Sequence, residues 1–174
     1  SFLYLIRDTH SIPTDALLVT LDVRDLYTSI PHIEGIDSVR GTAMGSHAAP
    51  PYANAYMIDF EESIIYKNPL FQDNVIIWKR YIDDVFCIWR GSTETLHAFF
   101  EVLNTSWPGI GFTINYDLVR MNFLDTLVIK NPEGVLSTDL YSKSTDRNSL
   151  LHFGSLHPPS TKKSIPRAQF HRVQ

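Results

Sequence analysis

Three aspartates stand next to strand-like segments in a way that suits metal chemistry. Asp83 and Asp84 are adjacent and lie between the mostly apolar stretches "VIIWKRYI" and "VFCIW", and Asp22 follows the apolar run "ALLVTL". Two like charges side by side among apolar residues cost free energy through repulsion and desolvation unless something offsets them. Because two strands of one sheet can end side by side, Asp22 can lie within a few ångströms of this pair. Carboxylate oxygens suit Mg²⁺, so the pattern predicts a divalent-cation site.

The segments around these acids predict a mixed order of strands and helices. Strands are predicted over residues 16–23, 74–82, 85–89, 112–118, 121–129 and 135–142, and helices over residues 45–66 and 93–106. The acidic pair would lie at the tip of a hairpin between the second and third strands, and Ser92 or Thr93 would cap the second helix. Strands outnumber helices, and short turns such as "NPEG" at 131–134 join many of them. We therefore expect an α+β fold, with an antiparallel sheet and helices packed on one face.

Length and composition fit one globular domain with a basic end. The chain has 174 residues, of which 44% are hydrophobic and 12% aromatic, enough to form a core and too many for a disordered chain. Residues 1–146 carry 10 Lys/Arg and 19 Asp/Glu, whereas residues 147–174 carry five Lys/Arg and no acid. We expect a folded domain over 1–146 and a basic segment over 147–174. That segment would either follow a phosphate backbone or be a solvated terminus.

The single cysteine and the lack of long apolar stretches bear on the compartment. Cys87 lies in an apolar run, so no intrachain disulfide can form, and we expect a buried thiol in a reducing environment. No apolar stretch reaches the length of a membrane span, and the N-terminal "SFLYLI" lacks a signal-peptide pattern. We expect an intracellular protein without a membrane partner, with the nucleus as a plausible compartment.

Three motifs and their order resemble the palm of a reverse transcriptase. "LVTLDVRDLYTSIPH", "GTAMGSHAAPPYANAYM" and "YIDDVFCIW" stand in the order of that family's motifs A, B and C. They are most similar to the motifs of Penelope-like retroelements, as are the later "NFLDTLVI" and "TDLYSKSTDRNSLLHFGSLHPPSTKKSIPRAQFHR". The resemblance covers nearly the whole chain. It implies the palm of an RNA-directed DNA polymerase, which adds deoxynucleotides (dNTPs) to the 3′-hydroxyl of a DNA primer on an RNA template.

By position, the resemblance also implies which residues form the active site. Asp22, Asp83 and Asp84 would be catalytic, and with the backbone carbonyl of Val23 they would hold two Mg²⁺ ions, for which Mn²⁺ is the alternative. Tyr27 would lie under the nucleotide sugar, where its ring would exclude a 2′-hydroxyl and so favour dNTPs. The alternative for Tyr27 is ordinary packing at a strand end.

Motif B and the C-terminal segment supply the remaining implied contacts. Gly41, Met44 and Gly45 in "GTAMGS" would lie against the template and the incoming nucleotide, with a helix-initiating glycine turn as the alternative. Asp125 matches a family position as well, and we expect it to accept nearby backbone hydrogen bonds instead of binding metal. The expected nucleic-acid contacts are all basic residues: Lys143, Arg147, Lys162, Lys163, Arg167 and Arg172.

Departures from the family pattern change what we expect of the chain by itself. Only "HIEGIDSVR" separates motifs A and B, where relatives have a longer helical connection. The fingers would precede Ser1 and the thumb would be present in its first part at most. We therefore expect the parent protein to be an enzyme and the isolated chain to be inactive. Two other functions stay open: a degenerate, non-catalytic retroelement remnant that keeps the fold and weak nucleic-acid binding, and a palm-like nucleotidyl cyclase, which would not explain "GTAMGS".

Overall fold

The computed structural model describes residues 1–30, 49–142 and 154–173, with side chains of the last helix described as far as Pro166. Residues 1–141 and residues 142–174 form two compact units. In chain order the described elements are α1 (Phe2–Asp8), β1 (Leu17–Arg24), α2 (Leu26–Ser29), α3 (Ala49–Phe60), a π-helix (Glu61–Ile65), α4 (Pro69–Asn74), β2 (Val75–Tyr81), β3 (Asp84–Trp89), α5 (Thr93–Thr105), β4 (Gly111–Asp117), β5 (Arg120–Phe123), β6 (Thr126–Lys130), β7 (Leu136–Leu140) and α6 (Pro159–Val173). The boundary predicted after residue 146 falls in a stretch outside the described residues.

Four antiparallel strands form the main sheet of the first unit, in the order β2-β3-β1-β4. The inner strands are β1 and β3, and most of their side chains are buried. Burial on both faces matches their nearly continuous apolar sequences. Cys87 lies in β3 with its thiol buried, and this burial raises the pKa of the thiol. The prediction of an α+β fold with an antiparallel sheet is confirmed.

Helices cover one face of the main sheet. Helix α3 packs there through buried residues at three- and four-residue spacing, Ala49, Ala53, Met57 and Phe60. The sequence predicted one helix over 45–66, of which residues 45–48 lie outside the described part of the chain. After α3 the helical geometry changes, because the chain continues as the π-helix over Glu61–Ile65.

Helix α5 packs on the same face and begins where the sequence predicted. The side-chain oxygen of Ser92 accepts a hydrogen bond from the backbone N–H of Thr95 at 3.4 Å, so Ser92 is the N-cap. Leu96, Phe99 and Leu103 are buried in the core beneath the helix. The predicted apolar face of this helix is confirmed.

A second sheet, which the sequence analysis did not predict, covers the other face of the main sheet. Strands β5, β6 and β7 form it in antiparallel order, and Met121 and Phe123 are buried in a second core. The prediction of one strand over 121–129 is wrong, because the chain turns at Leu124, where φ is 54°. Phe123 then pairs with Thr126 in a tight hairpin. Leucine rarely takes this left-handed conformation, so Leu124 gives no sequence signal for a turn at this position.

Helix α1 also packs against this second core, so the expectation that helices lie on one face only is wrong in this detail. The ring centroid of Phe2 lies 5.2 Å from that of Phe86 and 4.8 Å from that of Phe123. Ile6 is buried in the same core. The apolar residues of "SFLYLI" therefore have a packing role.

The turn predicted at "NPEG" is confirmed. The side-chain oxygen of Asn131 accepts hydrogen bonds from the backbone N–H groups of Glu133 at 3.0 Å and Val135 at 2.8 Å. Gly134 has a φ of 82°, a left-handed value that glycine adopts without steric cost. The chain then enters β7.

In the second unit the main element is α6, a helix that the sequence analysis did not predict. Pro159 is its first residue, a position where the missing N–H costs no intrahelical hydrogen bond. Pro166 lies inside the helix. Across the described parts of both units, no helix is long and apolar enough to cross a membrane.

Candidate functional site

The two adjacent acids lie at the tip of the β2–β3 hairpin, as predicted. Tyr81 at the end of β2 pairs with Asp84 at the start of β3, which leaves Ile82 and Asp83 as a two-residue turn. Ile82 has a φ of 55°. Tight hairpin turns of this length need a left-handed φ at their first central position, which explains this unusual conformation for a β-branched residue.

Asp22 lies directly opposite Asp84 in the register between β1 and β3. Side chains of paired residues in antiparallel strands point to the same face of the sheet. The neighbours of Asp22 along β1, Leu21 and Val23, are buried in the core beneath the helices, so Asp22 faces the other side. The backbone N–H of Val23 donates to the carbonyl of Asp83 at 3.0 Å. The register and this hydrogen bond bring the three acids to one end of the main sheet.

Partial burial and a neighbouring like charge both act on the carboxylate of Asp22. The side chain is exposed, yet its pKa is raised, first by partial desolvation of the carboxylate and second by the negative charge of Asp83. Both causes disfavour the charged form. A cation bound beside these carboxylates would act in the opposite direction and lower the pKa.

A small cleft opens beside Asp22 and Asp84, with a volume of about 150 Å³. It is lined by Thr20, Leu21, Asp22, Asp84, Asn115, Asn122, Phe123 and Leu124. Pockets for drug-sized ligands begin at about 300 Å³, so this cleft by itself suits an ion with its water better than a nucleotide. Asn115 and Asn122 were not among the predicted site residues; Asn115 lies in β4, and Asn122 lies in β5 of the second sheet, which was not predicted.

The donor chemistry of this group fits a divalent cation. The carboxylate oxygens of Asp22, Asp83 and Asp84 and the carbonyl of Val23 are hard ligands of the kind that Mg²⁺ prefers. Within residues 1–30, 49–142 and 154–173, however, no group of three or more His, Cys, Asp and Glu side chains is arranged so that it could hold a metal ion. Two pairs of these acids are close: Asp22 is the register partner of Asp84, and Asp83 is near enough for its charge to raise the pKa of Asp22. Binding of two Mg²⁺ or Mn²⁺ ions stays a prediction.

Tyr27, the residue expected under the nucleotide sugar, lies in the one-turn helix α2. Its ring is partly buried and packs against the larger core. Asp25 starts this turn with a φ of 54°, and its carbonyl accepts hydrogen bonds from the backbone N–H groups of Thr28 and Ser29, both at 3.0 Å. These hydrogen bonds hold α2, and with it Tyr27, directly after the end of β1. The role of Tyr27 in sugar selection stays a prediction. The motif B residues Gly41, Met44 and Gly45 lie outside the described residues.

The basic residues expected to contact nucleic acid are only partly described. Lys162 and Lys163 lie in the first turns of α6, with Lys163 exposed. The backbone of α6 also carries Arg167 and Arg172, whose side chains are not described, and Lys143 and Arg147 lie outside the described residues. Nucleic-acid binding by this set stays a prediction.

Asp125 lies in the β5–β6 turn, and its backbone carbonyl accepts a hydrogen bond from the N–H of Tyr141 at 2.9 Å.

One pair of residues beneath the hairpin was missed by the sequence analysis. Arg80 and Glu61 form a buried ion pair on the face that the helices cover. Charged residues are rarely buried, and these two are far apart in sequence, so neither position carried a signal beyond a charge inside an apolar segment.

Comparison of the chain with protein-family models, with curated proteins and with solved structures gave no match in any of the three. The family resemblance therefore rests on the motifs of the chain alone.

Proposed function

We propose that this chain carries the palm of an RNA-directed DNA polymerase of the reverse transcriptase type, similar to that of Penelope-like retroelements. One observation carries the proposal: Asp22 pairs with Asp84 across β1 and β3, and Asp83 occupies the turn beside them. These are the acids that the resemblance places in motifs A and C. The order β2-β3-β1-β4 with α3 and α5 on one face is compatible with a polymerase palm.

In this proposal the three carboxylates and the carbonyl of Val23 hold divalent cations at the end of the sheet. Bound there, Mg²⁺ would help to deprotonate the primer 3′-hydroxyl and would offset the charge that develops on the leaving pyrophosphate. The protein itself fixes the spacing of the acids through the register between β1 and β3. Tyr27 would bound the sugar site, and the basic residues of segment 147–174 would follow the phosphate backbone.

A titration with Mn²⁺ tests the cation site on the chain as it is. Electron paramagnetic resonance measures free Mn²⁺, and we expect two bound ions per chain at saturation. Asp83→Asn should weaken binding by more than about tenfold, because it replaces a charged carboxylate ligand by a neutral amide. Asp73→Asn is the matched control: it removes the same charge from an exposed acid near Val75, which is paired with Trp89 at the opposite end of the sheet. Equal affinities for wild type and Asp83→Asn would overturn the proposed site.

A second experiment asks whether the cations lie next to a primer end. Fe²⁺ can replace Mg²⁺ at carboxylate sites, and with ascorbate and peroxide it produces hydroxyl radicals that cut nucleic acid nearby. With a DNA primer annealed to RNA, we expect cuts near the primer 3′ end that disappear in Asp83→Asn and persist in Asp73→Asn. Cuts scattered along the duplex, or unchanged in Asp83→Asn, would contradict the polymerase proposal and favour the non-catalytic remnant.

A further inference from the structure

Arg80 lies beneath the acidic turn, on the face of the sheet opposite to the acids. Its register partner is Val85, which is buried in the core under the helices. The side chains of Arg80 and Glu61 are 9% and 7% exposed. Nε of Arg80 donates to Oε1 of Glu61 at 2.9 Å, and an Nη2 hydrogen is donated to Oε2 at 3.1 Å. This bidentate geometry fixes the plane of the guanidinium.

The remaining Nη1 group of Arg80 connects the hairpin turn to helix α3. It donates to the side-chain oxygen of Asn54 in α3 at 2.9 Å and to the backbone carbonyl of Ile82 in the turn at 3.0 Å. Trp78 also donates from its indole Nε1 to Oε1 of Glu61, at 2.9 Å, so β2 holds the carboxylate at two points. One guanidinium thus connects the turn, α3 and the π-helix.

Glu61 is the first residue of the π-helix, and the wider helical turn begins at this residue. Its carbonyl accepts from the N–H of Tyr66, five residues later, at 2.9 Å. Short π-helical segments inside α-helices often occur at functional sites. Here the segment begins at the residue that binds Arg80.

These contacts hold the backbone on both sides of Asp83. The carbonyl of Ile82 is held by Arg80 at 3.0 Å, and the next carbonyl, that of Asp83, is held by the N–H of Val23 at 3.0 Å. The peptide planes on both sides of the Asp83 Cα atom are therefore fixed. Ile82 has a φ of 55°, a strained value for a β-branched residue, and such strain persists only where the surroundings enforce it. Arg80 supplies one of the enforcing contacts.

We propose that Arg80 is a positioning residue for the Ile82–Asp83 turn and, through it, for the Asp83 carboxylate. Arg80 acts through the backbone, because its guanidinium is on the other face of the sheet from Asp22 and Asp84. The effect on cation binding rests on the proposed function of the acids; the effect on the turn does not.

Amide hydrogen exchange measured by NMR tests the effect on the turn directly. The amide of Val23 reports the turn because it donates to the carbonyl of Asp83, and the amide of Val19, in the buried middle of β1, reports global stability. Arg80→Lys keeps the positive charge but cannot make the same set of contacts. The quantity compared is the ratio of the Val23 exchange rate to the Val19 exchange rate. We expect this ratio to be about ten times higher in Arg80→Lys than in wild type, which corresponds to the loss of one charge-assisted hydrogen bond.

Arg90→Lys is the matched control. Arg90 follows β3 and its Nη2 group donates to the carbonyl of Asp73 at 2.8 Å, so it is also a guanidinium that holds a backbone carbonyl, at the other end of the hairpin. We expect Val23 exchange in Arg90→Lys to stay within about twofold of wild type. Equal acceleration of Val19 and Val23 in Arg80→Lys, or unchanged Val23 exchange, would overturn the positioning role.

Asn54→Ala provides the comparison if Arg80→Lys does not fold. This variant removes one acceptor of the Arg80 Nη1 group and leaves the pair with Glu61 in place. We expect about threefold faster Val23 exchange relative to Val19, a smaller effect than in Arg80→Lys, because Nη1 keeps its hydrogen bond to the Ile82 carbonyl and loses only one contact that orients it. An unchanged ratio in Asn54→Ala would count against the proposal.

Mn²⁺ titration of the same variants separates this proposal from the proposed function. If both hold, Arg80→Lys binds Mn²⁺ more weakly and also loses protection at Val23. If wild type binds no Mn²⁺ while Arg80→Lys still loses protection at Val23, the polymerase proposal fails and the positioning role stands. If Mn²⁺ binds with equal affinity to wild type and Arg80→Lys, the proposed effect on the carboxylate is wrong.

Discussion

Replacing Asp22 by Asn should make the protein more stable in cation-free buffer, although it removes an expected metal ligand. Asp22 lies opposite Asp84 across two strands, and its pKa is raised by partial burial and by the charge of Asp83. Like charges directly across two strands destabilise a sheet by about 0.2–1 kcal/mol. Asp22 is exposed, so solvent screening keeps the expected gain within that range. For a chain of this length the gain equals a rise of up to about 4 °C in melting temperature.

The gain should depend on pH with a defined sign. Because the pKa of Asp22 in the folded state lies above its ordinary value of 3.8, the folded protein binds this proton more tightly than the unfolded chain. The stability contributed by Asp22 therefore falls as pH rises through the interval that begins near 3.8 and extends up to the folded pKa. Asparagine does not titrate. The stability advantage of Asp22→Asn should be smallest below this interval and largest at neutral pH.

Divalent cations should reverse the order of stability. A ligand present at 100 times its Kd stabilises the folded state by about 2.7 kcal/mol, which exceeds the repulsion that Asp22→Asn relieves. Thermal unfolding followed by circular dichroism, in EDTA and in excess Mn²⁺, measures both effects, with Asp73→Asn as the control for loss of an exposed acid. A melting temperature below that of wild type for Asp22→Asn in EDTA at neutral pH would refute the argument from repulsion.

Three further predictions test the fold and the basic helix. Glu61→Gln leaves its buried arginine partner without a counter-charge and should lower the free energy of unfolding by about 3–5 kcal/mol, measured in urea. Gly134→Ala should lower the free energy of unfolding by about 2 kcal/mol or more, since φ is 82° and the new Cβ would meet the backbone of residue 12. Gly109→Ala is the control: φ is 87° but no atom lies closer than 3.6 Å to the new Cβ, so the free energy of unfolding should fall by less. Replacing Lys162 and Lys163 by Ala should reduce the slope of log affinity for an RNA–DNA duplex against log salt by up to about 1.8. An unchanged slope would exclude both lysines from phosphate contact.

The strands and helices that the sequence predicted correctly are those whose pattern is local. β1 and β3 are nearly continuous apolar runs, and α5 has a serine N-cap followed by apolar residues at helical spacing. The β5–β6 hairpin was missed because its turn depends on Leu124 in a left-handed conformation, which no local preference indicates. Helix α1 was missed because Phe2 and Ile6 gain their burial from a second sheet that was itself not predicted.

In the candidate site, too, one part could be predicted from the sequence and another could not. The approach of Asp22 to Asp83 and Asp84 was predictable, because acids at the ends of apolar strands meet when those strands are neighbours in one sheet. The support for the turn by Arg80 and Glu61 was not predictable. Their contact depends on the packing of the π-helix against β2, and a charge inside an apolar segment does not reveal its partner.

The two faces of the main sheet at the β2–β3 turn differ in how charge is compensated. On the helix-covered face the charge of Arg80 is met by a carboxylate, an amide oxygen and a backbone carbonyl. On the other face Asp22 lies opposite Asp84, and the pKa of Asp22 is raised first by partial desolvation and second by the charge of Asp83. Uncharged residues at Asp22 and Asp83 should give a more stable main sheet, and residues that reduce stability in this way are typical of functional sites. In the proposed cation site the two properties would act together: the buried ion pair would hold the turn that carries Asp83, and repulsion among the acids would give a cation an unfavourable interaction to relieve. Asp22→Asn and Glu61→Gln separate the two, because the first should raise stability and the second should lower it.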